Sequence, residues 1–193
     1  FNTTTLNKIA DGGIYDHLEG GFSRYTVDPE WKVPHFEKML YDNAQLISLY
    51  AMAYQKTGNE KYKNVMDKSL SFIKKNLTHP DGSFYSSLDA ETEGEEGKYY
   101  VWTEKEINEG LGEGPDLEIF KYTYGIREGG NWEKGKNVLF TIKDVKSTAK
   151  KFKKPESEIT QSLNNSRNKL LQLKSNRKKP KLDDKILTAW NAL

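Results

Sequence analysis

Cysteine is absent from this chain of 193 residues, so it has no disulfide, no thiolate metal site and no cysteine nucleophile. That absence fits a reducing compartment, and a cytoplasmic location is the expectation. Histidine is scarce as well. Any imidazole chemistry must come from His17, His35 or His79, the three in the chain. No apolar run approaches the ~20 residues of a membrane span and no signal peptide is visible, so no membrane partner is expected. Gly12-Gly13 and Gly20-Gly21 lack the spacing of a phosphate loop, and no Gly-Lys-Ser/Thr follows them. Nothing in the sequence calls for a cofactor.

What is present is enough chain for one domain that buries roughly 70% of its unfolded surface. It begins at Phe1 rather than Met and ends at Leu193 within a helix-like pattern, which reads as a fragment of a longer protein. Net charge is +2, unevenly spread. Asp89 to Glu118 holds eleven acids and two bases, and Lys143 to Lys181 holds thirteen bases and three acids. Such asymmetry can mark a nucleic-acid surface. The basic segment contains Phe152 as its sole aromatic, which counts against base stacking, and no nucleic-acid partner is expected.

Helical spacing of apolar residues recurs along the chain. A helix is expected over Phe1 to Ala10, stopped by Gly12-Gly13. The long loop from Ile14 to Pro34 carries Tyr15, Phe22, Tyr25 and Trp31, which argues for an ordered, functional loop. Pro34 is then expected to open a helix over Phe36, Met39, Leu40, Ile47, Tyr50, Ala51 and Tyr54. A second helix follows over Tyr62, Val65, Met66, Leu70, Ile73 and Leu77 as its antiparallel neighbour. Strands are expected at Phe84 to Leu88 and Lys98 to Trp102, around the acidic loop DAETEGEEG. Thr103 and Glu106 make a capping box for a helix to Leu111. Asp116 to Tyr124 reads as helix, Asn137 to Thr141 as strand, and Pro155 opens a helix to Asn176. Asp183-Asp184 precede a last helix holding Ile186, Leu187 and Trp190, one of the pair acting as its N-cap. Helical pairs with a small β-hairpin insert predict a mainly α fold.

GGFSRYTVD, PHFEKMLYDNAQL, FYSSLDAETEGEEGKYYVW and LDDKILTAWNAL, in this order, resemble the YyaL (DUF255) family, the group of spermatogenesis-associated protein 20 and other thioredoxin domain-containing proteins. The resemblance runs over essentially the whole chain. It implies that residues 1–193 form the first part of an α/α toroid, an (α/α)6-barrel like those of N-acylglucosamine 2-epimerases and six-hairpin glycosidases. The thioredoxin-like domain and the remaining hairpins are not included. Ser23 stands where the family pattern has a histidine, which puts in doubt any chemistry that histidine would perform. Half a toroid leaves helix faces uncovered, so self-association or marginal stability is the expectation.

The resemblance also implies a small-molecule carbohydrate as ligand. Arg24, Glu37, Tyr41 and Asn43 then read as substrate-binding residues, with His35, Asp42, Asp89 and Asp184 as the catalytic set. Trp31, Trp102 and Trp190 are stacking candidates for sugar faces, against the plainer reading of core packing. For the run from Val33 to Gln45 the plain alternative is a polar network that braces the loop. His17 reads as structural or exposed and His79 as surface.

The acidic loop matches the start of an EF-hand, but Tyr100 stands where the bidentate glutamate should be, and no metal is assigned. Its other readings are an irregular cation site or a solvated hairpin tip, and Asp89 can instead lean into a pocket. Function is therefore expected to be epimerisation or isomerisation of a free sugar. The alternatives are glycoside hydrolysis by Asp89 and Asp184, whose separation would discriminate, and a non-catalytic scaffold.

Overall fold

The computed structural model describes residues 3–193, and about half of them lie in eight α-helices. The strands, two residues each, act as clips between loops. In chain order, α1 (Thr3–Asp11) leads into the long loop, where β1 (Tyr25–Thr26) pairs with β2 (Pro34–His35). Next come β3 (Lys38–Met39), α2 (Leu40–Thr57) and α3 (Glu60–Asn76). The expected helix start at Phe1 lies outside the described residues.

The switch from α2 to α3 takes two residues. Gly58, at φ 65°, turns the chain left-handed and its N–H caps the Tyr54 carbonyl. Asn59 then N-caps α3 through the Lys61 N–H. Tyr50, Ala53, Tyr62 and Val65 close the resulting pair over Leu6, Ile9 and Phe22.

Beyond α3, β4 (Ser87–Leu88) lies centrally in a three-stranded sheet between β3 and β9 (Leu182–Asp183). The acidic loop is a hairpin of β5 (Glu91–Thr92) and β6 (Glu95–Glu96). β7 (Trp102–Thr103) pairs with β8 (Lys136–Asn137). A second core forms among α4 (Glu104–Leu111), α5 (Pro115–Tyr124), α6 (Val145–Phe152) and α7 (Glu156–Ser175), built on Ile107, Phe120, Tyr124, Ile159, Leu163 and Leu170. The chain ends in α8 (Thr188–Asn191). No helix among the described residues is long and apolar enough to cross a membrane.

Three expectations are corrected, and one helix is added. Pro34 opens no helix, because residues 34–40 alternate between buried and half-buried, the period of a strand. Phe36 and Lys38 turn inward and His35 and Glu37 outward, so α2 starts only at Leu40. Lys98 to Tyr100 form a turn, and the strand that follows pairs with β8 rather than returning along residues 84–88. Asp183 and Asp184 cap nothing: Asp183 belongs to β9, and α8 begins at Thr188 without a side-chain cap. Finally, α6 was not expected at all; Asp144 starts it by accepting the Ser147 N–H.

The seam between the two helical groups is ionic. Asp16, in the long loop, accepts the Lys38 ammonium at 2.9 Å and the Lys174 ammonium of α7 at 2.7 Å, both on Oδ2. Glu19 takes Lys174 at 3.3 Å and Lys75 of α3 at 3.1 Å. Lys38 and Lys174 are each 1% exposed and lie over aromatic rings, Lys38 at 4.3 Å from Phe72 and Lys174 at 4.6 Å from Tyr99. Burial opposes the charge on Asp16, but Lys174 and Lys38 overrule it and hold the carboxyl well below the usual range. Burial lowers Lys38, with Asp16 opposing. A buried ammonium without these partners would cost several kcal/mol.

Candidate functional site

The alternation of residues 34–40 sets the site. With Phe36 stacked against Tyr100 at 5.6 Å, His35 and Glu37 face outward side by side. His35 Nδ1 lies 2.7 Å from Glu96 Oε1, and its Nε2 lies 3.8 Å from Glu37 Oε2. Tyr25 stacks on the imidazole at 5.0 Å. Arg24 places its guanidinium 3.6 Å from the same Glu37 oxygen and 6.0 Å from the Tyr41 ring. The backbone fixes that approach, since the Arg24 N–H donates to the Glu37 carbonyl at 2.9 Å.

Asp42 sits in the first turn of α2. It is half-buried, and Oδ2 has no hydrogen-bond partner. Burial pushes its carboxyl above the ordinary range; Arg24 opposes the shift and Glu37 adds to it. Tyr41 meets Trp190 of α8 edge-on at 4.8 Å.

The three-stranded sheet supplies the rest by register. Lys38 opposes Leu88, and Leu88 opposes Leu182. The residues flanking this row, far apart in sequence, therefore meet at one edge. Glu37, Asp89, Lys181, Asp183, Asp184 and Lys185 line a groove of about 410 Å³. Asp89 is exposed and anchors its turn by accepting the Glu91 N–H at 3.2 Å. Lys185 bonds Asp183 at 2.9 Å and holds that carboxyl below its usual range. Carboxylates and ammoniums lining one groove offer acceptors and donors to a hydroxylated ligand.

Of the residues singled out in sequence, Glu37, Asp89 and Asp184 line this groove; Arg24 and His35 adjoin it through Glu37, Asp42 feels the charges of Arg24 and Glu37, and Tyr41 meets Arg24 and Trp190. Three are used elsewhere. Trp31 packs against the core around α2 and α3. Asn43 is fully buried and its amide is spent on the main chain: it accepts the Phe22 N–H at 2.7 Å and donates to the Phe22 and Met39 carbonyls at 3.0 and 2.9 Å. Trp102 is buried in the second core, with Arg177 stacked 3.8 Å over its ring. Ser23 is buried too. It lines a separate cavity of about 20 Å³ with Tyr15, Asp16, Lys38 and Tyr100. His17 is structural, its Nε2 3.0 Å from the Gly12 carbonyl. His79 pairs with Asp81 in its turn.

Sequence reasoning missed Glu96, Lys181 and Lys185. Glu96 reads as a solvated hairpin tip, but it is the hydrogen-bond partner of His35. An acid placed one strand away from a histidine leaves no mark in sequence spacing. Among the described residues no group of three or more histidines and acids is placed to hold a metal ion.

No family model matches the chain. Over 98% of its length the chain is 40% identical to spermatogenesis-associated protein 20 of Homo sapiens and covers 27% of that protein. It is 38% identical, over the same share, to the Mus musculus protein of that name. An uncharacterised protein of Caenorhabditis elegans is 30% identical over 98% of the chain. The chain thus spans about a quarter of the length of the curated relatives it matches. Similarity spread along nearly the whole chain makes it a relative of a segment of spermatogenesis-associated protein 20.

Proposed function

We propose that this chain is the first part of an α/α toroid whose groove binds a free sugar and moves a proton on it, as an epimerase or isomerase does. The observation that carries the reading is that two unlike acid–base groups both act on Glu37: His35 Nε2 lies 3.8 Å from its carboxylate, and its charge helps to raise the Asp42 carboxyl. Asp42 is a half-buried carboxyl whose Oδ2 is enclosed without a partner and whose protonated form is favoured by burial, so it is the candidate acid. His35 is held at Nδ1 by Glu96, which favours the proton there and leaves Nε2 as the acceptor. In the proposed reaction His35 Nε2 removes the proton from the carbon beside the sugar carbonyl. The electron pair moves to the carbonyl oxygen, Arg24 stabilises that oxygen, and Asp42 protonates it. A proton then returns to the opposite face of the same carbon while the enol O–H gives its proton back to the Asp42 carboxylate and the carbonyl reforms, which completes an epimerisation; protonation of the neighbouring carbon, with loss of the other enediol O–H proton, completes an isomerisation. Glu37, Asp89 and Asp184 accept hydroxyl hydrogens, and Tyr41 with Trp190 borders the apolar side.

The test is proton NMR of the full-length protein in heavy water with a panel of free sugars and simple glycosides. Deuterium at the carbon beside the carbonyl, or a new epimer, that disappears in His35→Ala supports the proposal. Release of reducing ends instead moves the function to glycoside hydrolysis, a reading favoured by Asp89 and Asp184 lining the same groove. No turnover and no line broadening with any sugar makes the non-catalytic scaffold the leading reading.

A further inference from the structure

The loop after α5 is pinned far more firmly than its exposure requires. The Arg127 side chain donates to the Gly130 carbonyl at 2.6 Å. Asn131 donates to the Val138 carbonyl at 2.9 Å and accepts the Val138 N–H at 2.8 Å. Asn137, fully buried, donates to the Trp102 and Arg127 carbonyls at 3.3 and 3.2 Å. Gly130 passes so close to the next strand that a Cβ there would meet the Lys136 carbonyl oxygen at 2.3 Å. Lys134 is held in the left-handed region at φ 53°, a conformation that costs a non-glycine residue energy and gathers at binding sites.

This rigid loop presents Trp132, tilted against Phe36 at 5.2 Å. Between the loop and the β5–β6 hairpin lies a pocket of about 260 Å³, lined by Trp132 together with Glu95, Glu96, Glu133, Lys98, Lys134 and Lys136. Acids and bases are equal in number there, so the pocket suits a neutral hydroxylated group rather than an anion, and Trp132 supplies an apolar platform.

The pocket and the groove have no lining residue in common, but His35 links a residue of each. Glu96 lines the pocket and holds His35 Nδ1 at 2.7 Å; Glu37 lines the groove and lies 3.8 Å from Nε2 of the same ring. We infer that the pocket is a second subsite and that the ligand is a reducing disaccharide, or a longer neutral saccharide, lying across His35. Its reducing unit occupies the groove and the next unit rests on Trp132. The inference rests on the carbohydrate reading of the groove.

The experiment is titration calorimetry of the full-length protein with neutral reducing disaccharides and their constituent monosaccharides. At least one disaccharide should bind about tenfold or more tightly than either constituent, because the second contact is made intramolecularly. Trp132→Ala should erase that advantage and Trp132→Phe should retain most of it. Monosaccharides that bind as well as every disaccharide overturn the second subsite and leave the groove reading standing. No binding by any sugar overturns both. If Trp132→Ala does not fold, the affinity ratio of the unaltered protein decides alone.

Discussion

Asp42 and His17 show opposite uses of burial at a single residue. Burial leaves the Asp42 carboxyl easier to protonate and without a partner for Oδ2. Asp42→Asn keeps the shape and removes the acid. Catalysed exchange should fall by roughly 100-fold or more, while the melting temperature holds or rises because no hydrogen bond at Oδ2 is lost. Unchanged exchange would remove Asp42 from the mechanism.

His17 is kept neutral. Burial lowers its pKa to about 4, against the hydrogen bond to Gly12 that favours the charged ring, whereas an unfolded histidine titrates near ~6.5. The unfolded chain therefore binds more protons between those values. The His17 contribution is complete above about pH 6.5 and is lost as pH falls to about 4, on the order of 3 kcal/mol. Urea unfolding across that range should show the slope, and His17→Gln, which keeps a donor, should flatten it. The sequence left His17 open between structural and exposed, and its burial against Gly12 decides for structural. The role of Asn43 was not legible, because a buried amide bonded to the main chain and an exposed one facing a ligand look alike in sequence.

At the scale of elements, legibility followed local chemistry. The Thr103–Glu106 capping box is present in full: Thr103 Oγ1 accepts the Glu106 N–H at 3.1 Å and Glu106 accepts the Thr103 N–H at 2.7 Å. Thr103→Ala should cost about 1 kcal/mol, measurable by chemical denaturation; no change would mean that packing on α7 alone sets α4. The run from 34 to 40 was misread because Lys38 scores as polar. Placed on the buried face, it completes the alternation with Phe36, and a strand replaces the expected helical turn. The two-residue strands escape any periodic signal: two residues cannot display a period. The groove was half legible for the same reason, its residues being visible as a polar run but their neighbours across β4 and β9 being a matter of register alone.

For the whole molecule the ionic seam is the joint between the two helical groups. Lys174→Ala removes an ammonium shared by Asp16 and Glu19 and should destabilise by about 3–5 kcal/mol. Thermal unfolding checks this, and a loss under about 1 kcal/mol would mean that the seam is spectator to the packing around it. The seam was invisible in sequence because a lysine at 38 or 174 carries no sign of the burial that awaits it.

That joint also has a history within each molecule. Asp16 and Lys174 lie 158 residues apart. At ~5–20 residues per second of synthesis, the acid precedes its partner by about 8–30 s. During that interval the growing chain has its Asp16 but not the Lys174 that fastens it. A nascent chain stalled before α7 should be cut by protease in the loop around residues 16–20, where the finished protein resists.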